Sequence, residues 1–198
     1  VKQDRTSESI FVFRDGNTTP ILTQNAQPDF RPYIHPIIAP DNNGIITDNK
    51  NHQTGLFWGF TNVNGRDYFH NPDGNYWKRV SSLVLKPHSS PKDPEVQWET
   101  TYHLLDDINE PILSETQFWT MSDKGDSYIL DLKWTGTAIK DITIGENDYG
   151  GLFLRMPWRE GISSQIVNSI RQNNEYADKK RAAWLDIGIK VEGRSNFA

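Results

Sequence analysis

The chain contains no cysteine among its 198 residues. That single absence removes disulfide frameworks, zinc ribbons, iron–sulfur ligation and thiol nucleophiles together, and leaves the redox compartment open. Basic runs are also missing, and 21 Lys and Arg against 26 Asp and Glu give a net charge of −5. A protein that tracks a phosphate backbone needs the opposite balance, so no nucleic-acid partner is expected. No apolar stretch approaches the roughly 18–20 residues of a membrane-spanning helix, and no membrane partner is expected either. The nucleophile elbow Gly-x-Ser-x-Gly, the phosphate-cradling Walker loop, the dinucleotide fingerprint, His-Glu-x-x-His and the EF-hand loop are all absent. Esterases of that type, NTPases and Rossmann oxidoreductases are thereby disfavoured, and neither a cofactor nor a metal is expected. What the chain has in excess is rings. Seven Trp, seven Tyr and nine Phe sit beside 14 Gly and 11 Pro in a chain of mean hydropathy −0.69. Such a composition reads as turn-rich and all-β, with aromatic faces left over for a surface or cleft.

Short apolar runs separated by turn chemistry recur along the sequence, the pattern of an antiparallel β-sandwich or barrel. Strands are predicted over 10–13, 21–23, 80–85, 96–105, 112–121, 128–134, 138–144, 151–156 and 182–191. In the run 128–134, Tyr128, Leu130, Leu132 and Trp134 fall on one face and Asp131 and Lys133 on the other, as in a half-buried strand. In the last run Ala183, Leu185, Ile187, Ile189 and Val191 form one apolar row. Residues 164–181 read as a short helix or a long loop, since Asn173-Asn174 interrupts an imperfect helical spacing. No repeat or linker divides the chain, so one domain over 1–198 is the working expectation. The chain closes on the turn Glu192-Gly193-Arg194 and then Phe197-Ala198, which suggests an element that pairs with further chain. No feature specifies an oligomeric state.

Chemistry-bearing residues concentrate between Phe30 and Arg79. Arg31, His35, His52, Trp58, Asn64, Arg66, Asp67, Tyr68, His70, Trp77 and Arg79 all fall there. Rings bordered by Arg, Asp and Asn suit a polyhydroxylated ligand, which needs a face to stack on and planar groups for paired hydroxyls. The bland alternative is that the rings fill a core and the polar groups cap loops. His35, between Ile34 and Pro36, reads either as a general acid or base or as a satisfied core histidine. His52 sits at a loop–strand junction, a frequent place for a working side chain. His70 reads as a turn residue at the rim of the site. Glu115 lies in an aromatic strand, where a raised pKa would suit it to acid–base work, and a solvent-facing carboxylate is the competing reading. Arg155 is a charge inside an apolar strand and needs a partner, for which Glu115 is the candidate.

Several of these segments also resemble a known family. Arg31-Pro32-Tyr33-Ile34-His35-Pro36, His52-Gln53-Thr54-Gly55-Leu56-Phe57-Trp58-Gly59 and Val63-Asn64-Gly65-Arg66-Asp67-Tyr68-Phe69 are similar to motifs of a bacterial family of unknown function, DUF6807, commonly labelled "methane oxygenase PmoA". Tyr149-Gly150-Gly151-Leu152-Phe153-Leu154-Arg155-Met156 and Arg181-Ala182-Ala183-Trp184-Leu185-Asp186 resemble its later motifs in the expected order. The label is not taken as chemistry, because a methane monooxygenase subunit is a membrane protein. The resemblance implies a β-sandwich of the mutarotase supersandwich kind. It also implies a periplasmic or extracellular bacterial protein with a carbohydrate context. Two departures stand out. A His-rich run before the Gly-aromatic strand is reduced here to Asn49-Lys50-Asn51-His52. Family members also continue further, so this chain is expected to be about the N-terminal two-thirds of a longer domain.

Together these readings give an exported carbohydrate-processing protein acting on a sugar or glycoside, as a lyase, hydrolase or epimerase. His35 and His52 serve as acid and base, and Glu115 as a second base. Arg31, Arg66 and Arg155 contact the ligand, Asn64, Asp67 and Arg79 its hydroxyls, and Trp58, Tyr68 and Trp77 stack on it. The alternative is a non-catalytic glycan-binding module with structural histidines. A catalytic reading of this set requires His35, His52, Glu115 and Arg155 to converge.

Overall fold

From Val96 to Leu104 every second side chain turns inward. Val96, Trp98, Thr100, Tyr102 and Leu104 are buried, while Gln97, Glu99, Thr101 and His103 lie half-exposed on the other face. Period two is the geometry of a pleated strand, and aromatic and β-branched side chains fit it. The computed structural model describes residues 2–70, 74–90 and 95–190, and among these residues it contains strands and one 3₁₀ turn but no α-helix. The early strands are β1 (Lys2–Arg5), β2 (Ser9–Phe13), β3 (Leu22–Asn25), β4 (Tyr33–Ile37), β5 (Asn49–Lys50), β6 (Gln53–Thr54) and β7 (Leu56–Gly59). Four long ones follow, β8 (Trp77–Lys86), β9 (Glu95–Leu105), β10 (Pro111–Asp123) and β11 (Tyr128–Ala138). The set closes with β12 (Gly151–Leu154), β13 (Ser164–Asn168) and β14 (Leu185–Ile189).

Two antiparallel sheets organise residues up to Met156. One runs β1-β2-β3-β4-β7-β12 and the other β11-β10-β9-β8. Their inner faces share one apolar cluster, with Ile10, Val12, Leu22 and Ile34 from the first sheet and Val96, Trp98, Trp119 and Met121 from the second. This is a β-sandwich, and the sheets do not merge into a closed barrel. The Trp98 and Trp119 rings stack at 6.3 Å, and the Trp98 indole N–H donates to Gln24 Oε1 across the sandwich at 3.0 Å. Arg14, just past β2, clamps the far hairpin by donating to Asp123 at 2.6 Å and to the Gly125 carbonyl at 2.7 Å. A second cluster, containing Tyr68, Trp77, Tyr102 and Leu104, fills the other end. On β11 the predicted alternation holds, with Tyr128, Leu130, Leu132 and Trp134 turned inward and the residues between them exposed.

The chain divides into two compact units, Val1–Met156 and Pro157–Ala198. In the second, the helix or loop expected over 164–181 is instead a strand, a turn and a 3₁₀ segment. Ile166 and Val167 pair with Ile187 and Asp186, as β-branched residues favour. The Asn168 side chain then accepts the backbone N–H of Ile170 and Gln172, which bends the chain out of any helical path. The apolar row predicted for the last strand is only partly buried, for Leu185 is exposed and Ile189 is covered. Val191 and the turn from Glu192 to Arg194 lie outside the described residues, as do Phe197 and Ala198. The strand predicted over 138–144 ends at Ala138. There the backbone leaves the ladder to bond the 62–66 loop, the Asn64 N–H donating to the Thr143 carbonyl at 2.9 Å and the Gly145 N–H to that of Asn62 at 2.9 Å.

Gly55 joins three segments at the end of β6. Its N–H donates to the Asp48 carbonyl at 2.8 Å, its carbonyl accepts the Arg155 N–H at 2.7 Å, and its φ is +70°. A β-carbon there would collide with the Ile34 carbonyl oxygen and lie 2.8 Å from His35 Cβ. Gly55→Ala therefore adds backbone strain to a clash with main chain, and is expected to cost about 2–4 kcal/mol. Urea unfolding checks this, and an unchanged midpoint would contradict it.

Candidate functional site

Strand β12 lies on β7 in antiparallel register, Phe153 opposite Phe57 and Leu154 opposite Leu56. The two phenyl rings stack at 5.1 Å, and Phe69 packs on Phe153 at 4.8 Å. Gly59 makes room for this floor, because a β-carbon there would press within 3.2–3.3 Å of all three rings. Above it opens a cleft of about 400 Å³, walled by His52, Gln53, His70, Tyr149, Leu154 and Arg155.

Local turns aim the polar walls. In the β5–β6 hairpin Asn51 takes a left-handed φ of 55°, a conformation asparagine tolerates, and this delivers His52 to the cleft. Asp67 forms an Asx turn, its Oδ1 accepting the N–H of Phe69 at 2.9 Å and of His70 at 3.1 Å. Its other oxygen holds His70 Nδ1 at 2.6 Å. Since a carboxylate only accepts, Nδ1 carries the proton and Nε2 is turned outward, 3.3 Å from the Tyr149 hydroxyl. The His52 and His70 rings approach to 4.6 Å. Arg155, also in the wall, donates through Nη1 to Gln53 at 2.8 Å and through Nε to Asp48 at 3.4 Å.

Electrostatics acts on His52 and on Asp67 in this wall. Burial, then the neighbouring His70 and Arg31, pushes His52 below the ordinary imidazole value, with Asp67 opposing. Burial pushes the Asp67 carboxyl up, but the hydrogen bonds from His70 and Phe69 outweigh it and hold the group below the usual carboxylate range. At neutral pH the cleft thus presents an unprotonated His52 beside a His70 anchored by an anion. Among the described residues no three His, Asp or Glu side chains group as a metal site.

Of the residues singled out in the sequence, the structure brings His52, His70 and Arg155 to the cleft, with Asp67 behind His70. The rest lie elsewhere. His35 is half-buried on β4, its Nδ1 2.9 Å from Thr47 Oγ1, and does not line the cleft. Glu115 is fully buried on the inward pleat of β10, where its Oε1 accepts from Gln117 at 2.6 Å. It therefore does not partner Arg155, whose carboxylate is Asp48. Tyr68 and Trp77 are core residues with no free face; the Tyr68 hydroxyl donates to the Leu105 carbonyl at 2.6 Å. Trp58 has its face covered by Trp134 at 4.7 Å. Arg66 stacks on Tyr76 at 3.9 Å, and Asn64 accepts the Thr143 N–H at 2.7 Å, both beside a separate groove. Arg79 donates to the carbonyls of Ser7 and Ala26. Arg31 is buried and donates to the carbonyls of Phe69 and His52. Sequence reasoning passed over Phe69, Tyr149 and Phe153 and left His70 at the rim. The spacing Asp67-x-x-His70, an Asx turn that presents an imidazole, is the signal that carried it.

The profile of a family of unknown function, DUF6807, matches residues 12–197. No curated protein and no solved structure matches the chain.

Burial raises the Glu115 carboxyl to about 7, against the pull of Gln117, Trp134 and Arg31. A carboxyl with a raised folded pKa binds its proton more tightly in the native state. Native stability from this group is therefore present near pH 4.5 and lost as pH rises towards 7. Glu115→Gln should remove that loss, becoming more stable relative to the parent by about 1–3 kcal/mol between pH 5 and pH 8. Melting temperatures of both proteins across this range test it, and parallel curves would refute it.

Proposed function

The chain belongs to the DUF6807 family of unknown function, and from that premise we propose that its cleft takes a sugar or glycoside and performs proton-transfer chemistry on it. The observation that carries this reading is the pair of adjacent imidazoles, His52 and His70, meeting edge to face over an aromatic floor. A neutral His52 is fit to remove a proton. His70, held by Asp67, is fit to give or take one at Nε2, and Asp67 stabilises the imidazolium that forms. Phe57, Phe69 and Phe153 offer an apolar bed for a sugar ring, and Arg155 and Gln53 offer donors and acceptors for its hydroxyls or carboxylate. No carboxylate lines the cleft among the described residues. Glycoside hydrolysis by two opposed carboxylates has no counterpart here, so a lyase or epimerase reaction fits better than a hydrolase one. The exported location implied by the family resemblance accompanies this reading.

A second reading, a glycan-binding module without chemistry, draws on the exposure of Tyr149 at the rim. One series of measurements separates the two. A melting-temperature screen against neutral sugars and uronic acids should find a stabilising ligand, since anything that binds only the native state raises the transition. With that ligand, His52→Gln and His70→Gln are each expected to keep the thermal shift and lose about 100-fold or more in kcat. A thermal shift with no turnover in the parent would leave the module. No shift with any sugar would defeat both.

The titration of His52 gives a further expectation. Its unprotonated form is the working one, so kcat/KM should rise with pH along a limb whose midpoint lies below the ordinary histidine value of 6.5. A rising limb centred above 6.5 would exclude His52 as the base.

A further inference from the structure

A cationic side chain with no exposed surface, in a fold with little net charge to place, asks what it is for. Arg31 is 0 % exposed and lies on the chain just before β4. Its guanidinium carbon sits 3.9 Å over the Phe57 ring and 5.6 Å from that of Phe69, both in the floor of the cleft. One terminal nitrogen donates to the Phe69 carbonyl at 2.9 Å, and the other donates to the His52 carbonyl. These two carbonyls belong to the two separate turns that bear the imidazoles. The planar fork of a guanidinium presents its donors at a fixed separation, which an ammonium on a flexible stem does not. Its Nε is buried without a partner, so the group is not placed for maximal hydrogen bonding. Its donors are spent on the main chain of the site.

We infer that Arg31 is a positioning residue for the imidazole pair, spanning the His52 and Phe69 carbonyls from below so that the hairpin at 49–54 and the turn at 67–70 hold their rings together, edge to face. The inference rests on the reading of His52 and His70 as the working pair, and gives it a support that does not touch the ligand. Charge accompanies geometry. The groups acting on His52 are His70 and Asp67 from the turn and Arg31 from beneath, and Arg31 disfavours the imidazolium. Arg31 in turn is held charged by Glu115 from β10 and by Asp67, against its own burial.

The test needs no substrate. Histidine ring resonances of the parent, Arg31→Lys and Arg31→Met would be followed by NMR from about pH 5 to pH 8, the range where imidazole titrates. The parent should show a through-space cross-peak between the His52 and His70 rings. In Arg31→Met that cross-peak should vanish and the His52 titration should move up. His35, which does not line the cleft, should be unmoved. In Arg31→Lys the charge stays and the fork is lost, so the cross-peak should weaken while the titration remains low. A folded Arg31→Met with the cross-peak and titration of the parent would overturn the inference. If Arg31→Met does not fold, Arg31→Lys decides alone: a weakened cross-peak supports the inference, and an unaltered one overturns it. Failure of every sugar to bind would sink the carbohydrate reading without altering these spectra, so the two failures are distinguishable.

Discussion

Three polar side chains run through the interior of the sandwich, and the placement of everything else follows from them. Gln24 accepts the indole N–H of Trp98. Gln117 accepts that of Trp119 at 3.2 Å and donates to Glu115. All three polar residues are essentially without exposed surface. An apolar interface tolerates sliding, because one methyl substitutes for another. A buried hydrogen bond does not, since displacing it leaves a donor or acceptor unpaired at a cost of about 1–3 kcal/mol. The Trp98–Gln24 bond locks the two sheets laterally, and the Trp119–Gln117–Glu115 line continues that lock along β10.

Where the line ends, the charged part of the interior begins. Glu115 Oε2 and Trp134 Nε1 are buried without a hydrogen bond of ordinary geometry. The field of Glu115 helps keep Arg31, pushed down to about 9 by burial, in its cationic form. Arg31 then reaches the main chain of His52 and Phe69. The interior of the sandwich is thus linked electrostatically to the underside of the cleft. Burying two opposite charges seldom adds net stability over an apolar pair. Their retention here is better explained by the directional donors that the guanidinium supplies to two loops than by a contribution to folding free energy.

Much of the fold was legible in the sequence, and the reason is periodicity. The alternation in 96–105 and 128–134 reports directly which side chains face the core, because a strand has a period of two and no other choice. The site was legible only as a region. Between residues 30 and 79 the same residue types serve three purposes: Arg31 is buried, Arg66 lies flat on a tyrosine, and Arg79 ties two carbonyls. Composition cannot divide these roles, since each depends on which face of which element the residue occupies. Tyr68 and Trp77 looked like stacking faces and are core. Glu115 and Arg155 looked like partners, but each has a nearer one. Of the residues 164–181, read as a short helix or a long loop, 164–168 form a hairpin strand and the rest is turn with one 3₁₀ segment, because Asn168 can replace a helical hydrogen bond with bonds from its own side chain. Tyr149 and Phe153 complete the cleft from far along the chain, and nothing local marks them for it.

That last separation bears on how the molecule comes together. Strands β7 and β12 are neighbours in one sheet, yet the chain between them makes the whole of the other sheet. Their four-residue ladder closes a long loop, and such contacts repay their entropy only after the intervening chain has ordered. Most of the first sheet and all of the second can form without β12, whereas the floor of Phe57, Phe69 and Phe153 cannot. The floor of the cleft therefore depends on a pairing between segments far apart in the sequence, made at an edge of the sheet, while the interior of the sandwich does not.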